Sequence, residues 1–242
     1  MTEERTGSGY TVIARRYRPT TFEEVVGQEH VAQTLQNAIR DNRVGPAYIF
    51  TGSRGVGKTS MARIFARALN CEKGPTPEPC GACEICRATI DGTDPDIVEI
   101  DAASHNLVDD IRTLREGIRY APLRARFKVY IMDEAHRVTP QAFDAFLKTL
   151  EEPPPHVKFI FATTEVGKLP ETIQSRCQRF DFRRVTVADV QKRLRQVCDR
   201  EKVKAEGAAL ALLARAGRGS MRDAQSLLDQ AISFGGGQIT EK

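Results

Sequence analysis

At 242 residues and 40% hydrophobic content, the chain is long enough for one large domain, or a large one and a small one, around a packed core. No run approaches the roughly 18 to 20 uninterrupted apolar residues of a membrane helix, and the opening MTEERTGSGY has no apolar stretch for a signal peptide, so the sequence reads as cytoplasmic. A formal charge of +4 is too small to establish a nucleic-acid partner by itself.

Apolar runs alternate with amphipathic stretches, which predicts strand, helix, strand, helix. The first strand, Ala47–Thr51, leads into Gly52-Ser53-Arg54-Gly55-Val56-Gly57-Lys58-Thr59 and a helix over Lys58–Asn70. Glycines at these positions let the backbone curl until successive N–H groups face one point, and the helix start adds partial positive charge there. Such a loop cradles phosphates, with Lys58 reaching the β- and γ-phosphates of ATP and Thr59 giving its hydroxyl to Mg²⁺; Ser60 follows in the same turn.

Four of the six cysteines come next, at Cys71, Cys80, Cys83 and Cys86. A cytoplasmic chain keeps thiols reduced, so this spacing points to a metal and not to disulfides. The intervening Glu72–Pro79, with three prolines, is a loop able to return Cys71 to the others. Four thiolates suit tetrahedral Zn²⁺ in a structural role. An iron–sulfur cluster is the alternative, although the fourth ferredoxin-type position holds Ile90. Cys177 and Cys198 stand apart and read as small buried residues.

Further strands are predicted at Ile97–Asp101, Lys128–Asp133 and Lys158–Thr163, with helices at Val108–Ile118, at Pro140–Leu150 behind a Thr139 cap, and at Glu171–Gln174. The third strand ends in Asp133 and Glu134. A strand parallel to the first brings Asp133 to the Mg²⁺ and lets Glu134 orient and deprotonate the attacking water. After Phe182 only helices are predicted: Val187–Glu201, Ala208–Ala216 and Met221–Phe234, punctuated by Gly207, Gly217 and Gly219. All the net positive charge lies in this last quarter, which fits either a solvated helical surface or an anionic partner such as nucleic acid. The fold class is therefore α/β, a parallel sheet flanked by helices, followed by a small all-helical domain.

The motifs GSRGVGKT, VYIMDEAH, FIFATTE, QSRCQRF and GSMRDA, in that order and after ARRYRPTTFEEVVGQEHV, resemble the AAA+ ATPases of clamp loaders, in particular the N-terminal portion of the bacterial DNA polymerase III gamma/tau family. The resemblance covers nearly the whole chain. It implies a P-loop AAA+ domain over 1–182 with a zinc module inserted at 71–86, a helical lid over 183–242, and a C-terminal collar domain before which this sequence stops. It also implies a motor that works in a hetero-oligomeric ring with other clamp-loader subunits, hydrolysing ATP to place a sliding clamp on primer–template DNA; the isolated chain is compatible with a monomer. By position in the motif series, Thr164 falls on the first sensor residue, with Thr163 as the near alternative, and Arg222 on the second sensor. Arg176, in Ser175-Arg176-Cys177, falls on the finger offered in trans to a neighbour's ATP. Arg18-Pro19 and Val25-Val26-Gly27, Val26 among them, match the segment around the adenine. Two rivals stand beside this reading. A different AAA+ motor, such as a Holliday-junction branch-migration ATPase, is disfavoured by the Ser-Arg-Cys motif and the four cysteines, and a nucleotide-binding scaffold without turnover by the intact Lys58, Thr59, Asp133 and Glu134.

Overall fold

Four short runs rich in β-branched and aromatic residues and a more polar fifth form one parallel sheet: β1 Ala47–Thr51, β2 Ile97–Asp101, β3 Lys128–Asp133, β4 Val157–Thr163 and β5 Gln178–Asp181. The computed structural model describes residues 10–104, 114 and 116–240. Within it the chain divides into two compact units, one from Pro19 to Arg184 and the other from Val185 onward together with the segment up to Arg18.

The sheet of the first unit runs in the order β2-β3-β4-β1-β5. Every residue of β1 and β4 is buried, as parallel strands covered on both faces require. Side chains alternate across the sheet with period two. Tyr48 and Phe50 therefore join Leu35, Met61 and Phe65 on one face, while Ala47 and Ile49 join Phe143, Phe146, Phe159 and Phe161 on the other. Phe159 and Phe161 lie with centroids 6.1 Å apart, and the edge of Phe146 meets both rings. The register sets Thr51 beside Thr163 and Asp101 beside Asp133, so these strands finish together at the carboxyl end of the sheet, where parallel sheets bind ligands. The turn into β3 is fastened by the buried Asp96 carboxylate, which accepts the backbone N–H groups of Leu123, Arg124 and Ala125 at 2.8, 2.9 and 2.9 Å.

The four predicted strands are present, β4 starting one residue early, and β5 adds a fifth. Thr139 caps the Pro140–Glu151 helix by accepting the N–H of Ala142 at 3.3 Å. Among the described residues three α-helices lie outside the predicted set, the shortest being Ile13–Arg16. Glu29–Arg40 buries Val31, Ala32, Leu35, Gln36 and Ile39 along one stripe, and Glu84–Asp91 grows out of the cysteine loop with the Cys83 sulfur as its cap. The predicted helix Val108–Ile118 falls largely outside the described residues.

In the second unit, helices Val187–Glu201, Gly207–Ala216 and Met221–Phe234 match prediction closely, the first and last opened by the hydroxyls of Thr186 and Ser220. The unit is not wholly helical: Lys204–Ala205 and Gln238–Ile239 form a two-residue parallel pair. Residues 10–18, expected with the sheet, belong here instead. The buried Asp229 carboxylate accepts the Ile13 N–H at 3.3 Å and the Tyr10 hydroxyl, and Glu201 accepts the Tyr17 hydroxyl and pairs with Arg16 at 2.9 Å. Burying Ile13 and giving Asp229 its donors together anchor the segment.

Candidate functional site

The loop between β1 and the Lys58–Asn70 helix depends on backbone that only glycine adopts without strain. Gly55 and Gly57 have φ of 75° and 104°. A Cβ on Gly57 would come within 2.8 Å of Val25 Cγ1, and one on Gly52 within 2.5 Å of the Phe182 carbonyl oxygen. Val56 is buried, Ser53, Thr59 and Ser60 are half-buried, and Arg54 is exposed. Lys58 is buried, and its ammonium donates to the carbonyls of Gly52 and Ser53 at 2.8 and 2.9 Å. Burial pushes its pKa down, while the carboxylates of Glu134 and Asp133 pull it up, so both acids lie within electrostatic reach of the loop lysine.

Sequence reasoning expected the strand carrying Asp133 to run parallel to β1, and it does, with β4 inserted between them. Across that gap the Thr59 hydroxyl donates to Asp133 Oδ2 at 2.7 Å. A hydroxyl and a carboxylate meeting there are the hard oxygen donors that Mg²⁺ favours. Glu134, one residue on, sits at φ 50° in the left-handed region, its N–H donating to Asp133 Oδ1 at 2.9 Å. A non-glycine residue in that conformation is held there at a cost, and such strain gathers at functional sites.

Of the two candidate sensors, Thr164 is the one that reaches Glu134, its hydroxyl donating to Oε2 at 3.4 Å. Thr163 is fully buried, and its oxygen accepts the Glu165 N–H at 3.0 Å. His136 was overlooked. Its Nδ1 lies 3.1 Å from the Thr163 hydroxyl and 3.5 Å from Glu134 Oε2, and its Nε2 lies 3.5 Å from Glu165 Oε1. The DEAH spelling already placed a titratable side chain two residues past Glu134. Val25 contacts the loop at Gly57, whereas Val26 beside it is half-buried. Arg176 is on the surface and meets the Thr172 carbonyl at 2.9 Å, Ser175 Oγ at 3.4 Å and Glu151 at 2.7 Å, none of them a residue of the phosphate loop. Arg222 belongs to the second unit, in the first turn of Met221–Phe234.

The ligand atoms of Cys71, Cys80, Cys83 and Cys86 all lie within 4.8 Å of one another. Tetrahedral zinc with bonds of about 2.3 Å sets its sulfurs about 3.8 Å apart, and Cys80 Sγ stands 3.9 Å from Cys86 Sγ. Backbone N–H groups of Cys80, Cys83 and Cys86 point at the sulfurs of Cys71, Cys80 and Cys83 at 3.3 to 3.4 Å. The N–H groups of Cys83 and Ala82 bring the Cys80 thiol down to about 6, toward the thiolate a metal requires. The cluster is compatible with zinc. Cys198 is buried and Cys177 half-buried, burial pushing Cys177 up to about 12.

A family profile described as "DNA polymerase III, delta subunit" matches residues 27–186, and one described as "DNA polymerase III clamp loader subunit, ATPase lid domain" matches residues 189–237. The chain belongs to the DNA polymerase III clamp-loader family. It is 52% identical to "DNA polymerase III subunit tau" of Bacillus subtilis over 94% of its own length and 40% of that protein's. Against the Escherichia coli protein of that name the figures are 52%, 96% and 36%. The gamma subunit of Buchnera aphidicola is 41% identical over 96% of this chain and 63% of its own. The chain thus spans about two fifths of the length of the tau subunits it matches. Among solved structures, the Thermotoga maritima RuvB Holliday junction branch migration motor shares the AAA+ fold, with a TM-score of 0.69 at 20% identity over 93% of this chain and 69% of that one. Among the described residues no helix is long and apolar enough to cross a membrane.

Proposed function

We propose that this clamp-loader family member is an ATP-hydrolysing motor that works in a ring with other clamp-loader subunits to place a sliding clamp on primer–template DNA. The observation that carries the reading is the Thr59–Asp133 contact at 2.7 Å with Glu134 adjoining it, at the mouth of a phosphate loop. The backbone of Gly52–Ser60 cradles the phosphates, and the Lys58 ammonium exchanges its two carbonyl acceptors for phosphate oxygens. Thr59 and Asp133 hold Mg²⁺, which supplies charge neutralisation at the phosphates when bound. Glu134 orients a water and accepts its proton, with Thr164 steering the carboxylate. Arg222 serves as the second sensor, Arg176 as a finger for the neighbouring subunit, and Val26, beside the loop-contacting Val25, lines the adenine. The excess of Lys and Arg over Asp and Glu in residues 182–242 suits contact with DNA in the assembly, and a reduced thiol cluster suits the cytoplasm.

The test is phosphate release by the longer chain assembled with its partner subunits. Clamp and primed DNA together should accelerate turnover over either alone. ATP binding with no turnover under all conditions would instead make the chain a nucleotide-dependent scaffold.

The cysteine cluster we assign to structural zinc held by Cys71, Cys80, Cys83 and Cys86, a closed tetrathiolate with no position for chemistry. Elemental analysis should give close to one zinc per chain, and the protein should be colourless. Cys83→Ser should release the metal and loosen the 71–86 segment while ATP binding at the distant loop persists. A brown sample containing iron and sulfide would overturn the assignment.

A further inference from the structure

Arg67 lies in the Lys58–Asn70 helix, 3% exposed, and among the described residues its Nε has no hydrogen-bond partner. A guanidinium stays charged in proteins, so an underserved buried one needs an anion nearby. Arg67 stands one helical turn before Cys71, on the same face, and its carbonyl accepts the Cys71 N–H at 2.8 Å. Burial lowers its pKa, while Cys86, Cys71, Glu24 and Cys80 raise it, so three of the four cluster cysteines and the Glu24 carboxylate lie within its electrostatic reach. Cys71 and Cys86 are themselves fully buried.

Four thiolates on one divalent cation carry a net charge of −2. The other cations around the cluster face water: Arg126 donates to the carbonyls of Cys71 and Glu72 and Arg87 to that of Ala82, and both are exposed. Solvent screens their charges. Arg67 is buried one helical turn from the buried Cys71, and a charge there acts at lower dielectric and so at greater strength.

We propose that Arg67 is the buried charge partner of the tetrathiolate metal centre, a positioning residue that neutralises the bound complex from within the phosphate-loop helix. The proposal rests on the zinc reading of the cluster. It predicts a reversal of sign that side-chain packing cannot produce. With zinc bound, Arg67 stabilises; with zinc removed, the anionic complex it neutralises is gone, and the same buried cation destabilises.

The experiment uses the whole chain, zinc-loaded and chelator-stripped, as wild type, Arg67→Met and Arg67→Lys. Zinc affinity is read by competition with a chelator of known affinity, and thermal midpoints are read in both metal states. Arg67→Met should weaken zinc binding by about tenfold or more, and Arg67→Lys, which keeps the charge, should stay close to wild type. Arg67→Met should melt below wild type when loaded and at or above it when stripped. If the stripped proteins are unfolded, the affinity difference between the Met and Lys variants still decides. Unchanged zinc affinity in Arg67→Met, or equal loss of stability in both metal states, would make Arg67 a packing residue and end the proposal. A wild-type chain that takes up no zinc would end the zinc reading, and this proposal with it.

Discussion

Glu134→Gln should leave ATP binding nearly unchanged and stop hydrolysis, whereas Lys58→Ala should abolish the binding itself. The two side chains are close enough for each carboxylate near the loop to raise the Lys58 pKa, yet they act on different stages. Lys58 is buried, with its ammonium directed at the loop carbonyls of Gly52 and Ser53, and alanine removes the positive charge that faces the β- and γ-phosphates in ground state and transition state alike. Glu134 is held at the end of β3 by its left-handed backbone and by the Thr164 hydroxyl. Glutamine keeps its shape and its bond from Thr164 but cannot take a proton, so only the step that deprotonates water is lost. General-base loss alone lowers turnover by on the order of 10²- to 10⁴-fold. Nucleotide affinity is read by fluorescence titration with an ATP analogue and turnover by phosphate release. Wild-type turnover in Glu134→Gln would remove Glu134 from the role of water-activating group.

The second large effect is expected at Arg176, in the neighbouring subunit's site and not in its own. Arg176 follows the short helix Glu171–Gln174 and is tied on the surface to Glu151 at 2.7 Å. A pair this exposed contributes only about 0 to 1 kcal/mol, so the guanidinium is easily released to an adjacent γ-phosphate, where it neutralises charge that develops in the transition state. The isolated Arg176→Ala chain should therefore bind ATP normally, and its fold should be little affected. In the assembled complex turnover should fall by on the order of 10³-fold or more. Mixed assemblies give the sharper measurement: a Lys58→Ala chain cannot use ATP itself but should restore hydrolysis in a neighbouring site that would otherwise face an Arg176→Ala chain, because its own arginine is intact. Absence of rescue where the two are juxtaposed, or loss of ATP affinity in the isolated Arg176→Ala chain, would place the arginine in its own site or in a structural role.

Much of this protein is written in local spacing. The phosphate loop from Gly52 to Thr59 is legible because each residue type there answers a backbone or chemical demand within a few positions. Strands β1, β3 and β4 are legible because their apolar runs are nearly continuous, β2 at the sheet edge because Ile97, Val98 and Ile100 still mark it, and the cysteine spacing announces a shared ligand before any fold is known. Elements with diluted patterns escaped: β5, QRFD, is an edge strand with one buried side chain, Phe180; Glu29–Arg40 hides its stripe among polar residues; and Glu84–Asp91 begins inside a loop whose cysteines drew attention to the metal instead.

The string of residues carries the inventory of chemistry and most of the elements that hold it: the phosphate loop, the Asp133–Glu134 pair, the four thiols and the Thr163–Thr164 choice. The tertiary structure alone decided which groups meet. β4 entered between β1 and β3, and only that pairing brings Thr59 to Asp133 across 74 residues of chain. It separated Thr164, which reaches Glu134, from Thr163, which turns inward beside His136. It moved residues 10–18 to the helices that bury Asp229, and it buried Arg67 one helical turn from Cys71. The physical reason is common to all of these. Periodicity and turn chemistry act over a few residues and leave a trace in the string, whereas strand order and the burial of charge are settled by which distant surfaces exclude water together.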